Sequence, residues 1–138
     1  MAFRVYRGKV KVVPMPVTVS TALTKDTLVE FTSGRIAAAD ADEAADNIIG
    51  TLVKTIASTD SDYATARKVG IRVPTERHVI WEADATGFTV GGTDEGVEYG
   101  ISDSGTVDFT ETTAKAFKVI EVVTATKVRG YLKVDGAY

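Results

Sequence analysis

The sequence contains no cysteine. That excludes disulfide frameworks, thiolate nucleophiles and cysteine-based zinc sites together, and it leaves the redox compartment open. There is one histidine, His78, and one tryptophan, Trp81. A lone imidazole needs an orienting partner and a nucleophile before it can serve as a general base, so His78 reads as a surface or satisfied histidine. Sparse aromatics argue against a stacking platform for sugars or single-stranded nucleic acid, and Trp81, within Val79–Glu82, reads as core. No stretch reaches the ~18 apolar residues of a membrane span. The opening Met1–Arg7 carries charge but no apolar run of signal-peptide length. A chain made and used in soluble form is expected, with no membrane partner.

Leucine is also scarce, with 4 residues against 19 Val, 19 Thr and 8 Ile. β-Branched side chains lose rotamer freedom in helices and pack well on pleated sheets. The contrast predicts an all-β fold, barrel- or sandwich-like, with at most one or two short helices. Alternation agrees. Val69, Ile71 and Val73 alternate with Lys68, Gly70 and Arg72, and Val97, Tyr99 and Ile101 with Glu98 and Gly100. Val128, Leu132 and Val134 share one parity while Lys127, Arg129, Tyr131 and Lys133 share the other. This period of two marks strands with one buried face. Further strands are expected at Arg4–Val13, Val17–Ser20, Thr27–Phe31, Ile48–Ile56, Val79–Glu82, Thr106–Thr110 and Phe117–Val123. Turn signals separate them at Ser33–Gly34, Gly91–Asp94, Asp103–Gly105 and Asp135–Gly136. Pro14 and Pro16 cannot donate to a ladder, which makes Pro14–Pro16 a break, a hinge or an edge. Ala37–Asn47, with a capping-box spacing of Asp40 and Glu43, and Asp62–Lys68 are the two candidate helices. No sequence repeat of fixed period is present. Two small β lobes are expected to meet near residues 74–78.

Chemical motifs are missing where they would be sought. Gly100–Gly105 is not the G-x-S-x-G elbow, and Gly87–Gly96 carries no phosphate-cradle pattern. Asp40, Asp42, Glu43 and Asp46 open like a calcium loop, but no glycine stands at the sixth position and Thr51 occupies the place of the bidentate Glu. Asp60 and Asp62 form a second small acidic cluster. No catalytic, cofactor-binding or metal site is assigned, and no cofactor is expected.

The net charge of −3 is unevenly spread. Residues 1–13 hold Arg4, Arg7, Lys9 and Lys11 and no acid, while the remainder is acidic. Residues 1–16 are therefore expected to form a basic extended N-terminal arm or a first strand, ahead of a compact β domain over 17–138. Phe3, Arg4, Tyr6, Arg7, Lys9 and Lys11 are the candidate docking residues, the aromatics anchoring and the cations pairing with acids. An arm of this length can add a strand to a neighbouring sheet. Direct nucleic-acid binding is not expected, because the acidic remainder would repel phosphate.

Ile48–Ile56, the acidic loop after it and Val69–Pro74 resemble the β-barrel core of capsid decoration, or cement, proteins of tailed bacteriophages. Gly105–Phe109, Phe117–Val123 and Thr126–Val134 extend the resemblance, which rests on apolar patterning and glycine placement. It implies a structural protein, not an enzyme, that is made in the host cytoplasm and sits on the exterior of the virion. There it would bridge subunits of the major capsid protein and associate with itself, most often as a trimer. Other expectations are a tail-tube or head–tail joining protein, an extracellular β-sandwich binding module, or an enzyme that uses acids alone.

Overall fold

Among the described residues there are eleven strands: β1 (Phe3–Arg7), β2 (Val10–Pro16), β3 (Leu28–Thr32), β4 (Arg35–Ala38), β5 (Ile48–Leu52), β6 (Lys68–Pro74), β7 (Ile80–Thr86), β8 (Glu98–Asp103), β9 (Thr106–Asp108), β10 (Phe117–Thr124) and β11 (Lys127–Leu132). The computed structural model describes residues 3–32, 34–39, 48–76, 78–87 and 95–133. Among them there is no helix, and the fold is all-β. The candidate helix at Ala37–Asn47 begins instead as the end of β4 followed by the buried Ala39, and 40–47, including Asp40, Asp42, Glu43 and Asp46, lie outside the described residues. Asp62–Thr65 is turn and bend, Ala66 and Arg67 are irregular, and Lys68 opens β6.

The strands fall into two sheets that each curl into a barrel. In the second barrel the order is β7-β11-β10-β8-β9, and β9 returns to β7 in parallel, so the ring closes. β1 is a sixth strand on the same edge of β7. It covers Ile80–Ala83 while β9 covers Asp84–Thr86. The first barrel runs β2-β6-β5-β3-β4, and a single parallel bridge between Val17 and Ile36 joins its two ends.

The two rings share one wiring diagram. Matching Val17 and Ile36 with Ala85 and Val107, the parallel contacts that close each ring, aligns every other ladder. Pro16↔Lys68 then matches Asp84↔Lys127, and Thr51↔Arg72 matches Lys118↔Tyr131. Leu28↔Thr51 matches Glu98↔Lys118, and Phe31↔Ile36 matches Ile101↔Val107. The circuit closes without a slip of register. The chain is thus an internal structural repeat, with Pro74 ending β6 of the first ring and Ile80 opening β7 of the second. One difference stands out. β10 and β11 are joined by Ala125 and Thr126 alone, whereas β5 and β6 are separated by Val53–Arg67.

Each barrel has its own core. Val17, Leu23, Val29, Ile36, Ile49, Leu52, Ile56, Ile71 and Val73 fill the first. The second is built around Trp81, Phe117, Ile101, Val107 and Val128, but it also takes Phe3, Leu28, Ala39 and Ile48 from the first part of the chain. β5 is therefore buried on both faces along its whole length, one face serving each barrel. Hydrogen bonds tie the same seam: Leu28 N–H donates to Ser104 C=O at 2.7 Å and Phe3 N–H to Asp26 C=O at 2.9 Å. Arg72 donates to the buried Asp26 carboxylate at 3.0 Å beside them.

Several expected elements are corrected. The strand expected over Arg4–Val13 breaks at Gly8, whose φ of +110° is a conformation that side chains resist. A Cβ there would also meet Val79 Cα at 2.9 Å. β1 and β2 consequently join different barrels. Val17–Ser20 is one bridge residue followed by a turn, with Ser20 at φ 55°, and Ile48–Ile56 stops being strand at Leu52. β2 runs through Pro14 and Pro16 as an edge strand. Asp103–Gly105 makes the β8–β9 turn, with Gly105 N–H on Asp103 Oδ1 at 2.7 Å. Ser33, Gly91–Asp94 and Asp135–Gly136 lie outside the described residues.

Candidate docking surface

The basic N-terminal segment is not a free arm ahead of a domain beginning at Val17. Its described residues are β1 and β2, built into both barrels, and Val17 N–H continues the β2 ladder onto Arg67 C=O at 3.0 Å. Strand alternation sorts its side chains. Phe3 points into the second barrel, 0% exposed and edge-on to Phe117 with ring centroids 6.0 Å apart. It is a core residue, not a docking anchor.

Arg4 and Tyr6 take the opposite face and find partners there. Arg4, Glu82, Arg129 and Glu121 stand opposite one another on β1, β7, β11 and β10. They form a row of alternating charge across four strands: Arg4–Glu82 at 2.7 Å, Arg129–Glu82 at 3.2 Å and Arg129–Glu121 at 2.8 Å. Lys127–Asp84 at 3.1 Å lies in the next row. The Tyr6 ring, half exposed, lies under the Arg129 guanidinium, 3.7 Å from its centroid. The Arg4 guanidinium holds the Glu82 carboxyl below its ordinary range, with Arg129 adding to it against the cost of burial. Glu82 is therefore ionised and committed to two guanidiniums.

Arg7, Lys9 and Lys11 are different. All three are exposed. Arg7 approaches only the Tyr6 ring, at 5.8 Å, and none of the three pairs with a carboxylate among the described residues. They run from the end of β1 across Gly8 into β2, where the two barrels join. Of the six candidate residues, these three are exposed cations with no ion-pair partner among the described residues.

The remaining candidates separate in the same way. Asp60 and Asp62 both pair with Arg67, and Asp60 also accepts from Ala57 N–H at 3.0 Å. Arg67 beside it draws the exposed Asp62 carboxyl below its usual range. These groups, with Lys54 and Lys68, line an open cavity of about 420 Å³ between the Val53–Arg67 excursion and the start of β6. Sequence reasoning did not single out that excursion as a site. Its signal is visible only after the barrels are aligned, because the matching turn in the second barrel is two residues long. His78 is exposed, its ring edge-on to Tyr131 at 5.7 Å. Trp81 is core as expected, 1% exposed, with Nε1 unpartnered. Among the described residues no three His, Asp or Glu side chains gather as metal ligands.

No protein-family model matches the chain, and no curated protein matches it in sequence.

Proposed function

We propose that this protein is a structural component of a tailed-phage virion. In this reading it binds the outer surface of the head and stabilises it by bridging subunits of the major capsid protein. The observation that carries the reading is the run of exposed cations Arg7, Lys9 and Lys11, without an ion-pair partner among the described residues, at the junction of two cross-braced barrels. A rigid body with a short charged contact strip suits repeated weak docking, in which many copies and bridged sites add through multivalency. The resemblance to decoration proteins supports the same conclusion. Of the segments that carry it, Val69–Pro74 and Phe117–Val123 lie wholly within β6 and β10, while Ile48–Ile56, Gly105–Phe109 and Thr126–Val134 contain β5, β9 and β11. Self-association, as a trimer, belongs to this proposal too.

Deleting residues 2–13 would remove Phe3 from a core and half of β2, so charge reversal is the cleaner test. Assembled heads lacking the protein are mixed with purified wild type and with R7E/K9E/K11E, then sedimented and their copy number counted. Saturable binding of the wild type, and loss of most of it in the folded triple variant, supports the proposal. Absence of wild-type binding refutes it. Rings or tubes formed by the purified protein without heads would instead favour a tail-tube or head–tail joining role.

A further inference from the structure

The internal repeat exposes an asymmetry at one edge. In the second barrel, the edge of β7 ahead of its closing contact is covered by β1 over Ile80–Ala83. The matching edge of the first barrel lies along β2 ahead of Val17, and among the described residues no strand covers it. Backbone direction there can be read residue by residue. Lys9 C=O accepts from Thr75 N–H, and Val17 N–H donates to Arg67, so odd residues face β6. Thr18 N–H donates to Ile36 C=O on the other side, so even residues face outward. The β2–β6 register is unbroken between these points. The outward groups are therefore the N–H and C=O of Val10 and Val12 and the carbonyls of Pro14 and Pro16.

Val12 is 58% exposed and Pro14 is exposed as well, while Val10 is half-buried against the second core, so among the described residues the edge is open from Val12 outward. The two prolines offer no donor, which closes the far half to a pairing strand. The near half keeps two donors, and Lys9 and Lys11 flank them. On β1 and β7, opposed residues carry opposite charge, Arg4 against Glu82. A strand laid on β2 would by the same cross-strand rule place a carboxylate opposite Lys11.

We propose that the β2 edge at Val10–Val12 accepts an extended acidic segment of another polypeptide as an added antiparallel strand, on the edge equivalent to the one β1 covers in the second barrel but overlapping β1's own footprint, which corresponds to Val12–Met15, only at Val12. The main chain supplies affinity, and Lys9 and Lys11 select for acids. This deepens the docking surface proposed above by naming the form of its partner, yet the two fail separately. Wild-type protein that ignores heads sinks the virion role, while a closed β2 edge sinks only this proposal.

The probes are a blocked heptapeptide, Thr-Val-Glu-Val-Glu-Val-Thr, and its counterpart with Lys for Glu, titrated to millimolar concentration into the isotope-labelled whole protein. In the free protein the Val10 and Val12 amides should exchange rapidly. The acidic peptide should protect both, and the lysine peptide should bind roughly tenfold more weakly or worse at low salt. V12P removes an outward donor without costing a ladder bond to β6, as Pro14 and Pro16 already illustrate, and should abolish binding with the fold intact. K9E/K11E, which does not touch the backbone, should reverse the preference between the peptides. Amides of Val10 and Val12 already protected in the dilute free protein would overturn the proposal. So would equal binding by V12P, protection elsewhere, or no binding of the acidic peptide. Protection that rises with protein concentration alone would assign the edge to a second copy and overturn the acidic partner.

Discussion

Phe3 should be one of the most costly residues in the chain to truncate, although it stands third. Its ring is fully buried and packs edge-on against Phe117. Burying a Phe side chain is worth about 1.5–3 kcal/mol by transfer alone, and an edge-to-face pair adds about 0.5–1.5 kcal/mol. With the cavity left behind, Phe3→Ala should cost about 3–5 kcal/mol. Against a typical stability of about 5–15 kcal/mol, that is a large fraction, and it corresponds to a fall in Tm of roughly 10–20 °C. Urea denaturation followed by Trp81 fluorescence is the assay, since Trp81 lies in the same core. A partial escape exists: β1 is an outer strand held to β7 alone in its sheet and can detach, which would cap the loss at the docking energy of the strand. Hydrogen exchange would reveal this as lost protection confined to β1 and the β7 amides facing it. A loss below about 1 kcal/mol, with β1 amides still protected, would refute the placement of Phe3 in the core.

Two further outcomes follow from the same geometry. Gly8→Ala forces a side chain into φ +110° and against Val79, and should destabilise by about 1–3 kcal/mol in the same denaturation assay. Glu82 has its carboxyl pKa lowered in the fold from 4.5, so the unfolded chain takes up its proton first as pH falls. The stability it supplies should be complete above about pH 5 and drain away as pH drops through the folded value. Glu82→Gln should make the stability–pH curve flatter on that acid limb, and an unchanged limb would count against the Arg4–Glu82–Arg129 row.

The fold class was legible because it depends on local preferences. Alternation at Lys68–Val73 and Lys127–Leu132 is written in consecutive residues, and both segments are strands with one buried face. β5 shows no alternation because two barrels bury it from both sides, so Ile48–Leu52 could be recognised as apolar but not placed. The break at Gly8 had a signal that was missed. Val5 and Val10 both pack on the second core while Val13 and Met15 pack on the first, so the apolar parity shifts across the glycine. The fate of Arg4 was not readable at all: its partner Glu82 lies 78 residues away, and only the assembled sheet brings them together. The repeat escaped for two reasons. Few matched positions keep the same residue type, and the Val53–Arg67 excursion shifts β6 against β11, which erases any fixed period.

The exchange of β1 has a consequence for the order in which the molecule is made. A chain emerging from the ribosome N-terminus first presents β1 long before β7 exists. β2–β6 are contiguous with each other, so the first ring can close while the second is still being synthesised. Through that interval Phe3 has no home, and neither do Leu28 and Ile48, which belong to the second core. The nascent half-protein therefore carries a sticky apolar face and a loose β1, which find β7 when residues near 80 arrive and are fully covered only when Ile101, Phe117 and Val128 follow. Contacts between β1 and β7 are among the longest loops in the molecule to close, which makes their docking a late step in folding. A strand made well before its partner acts as the last latch.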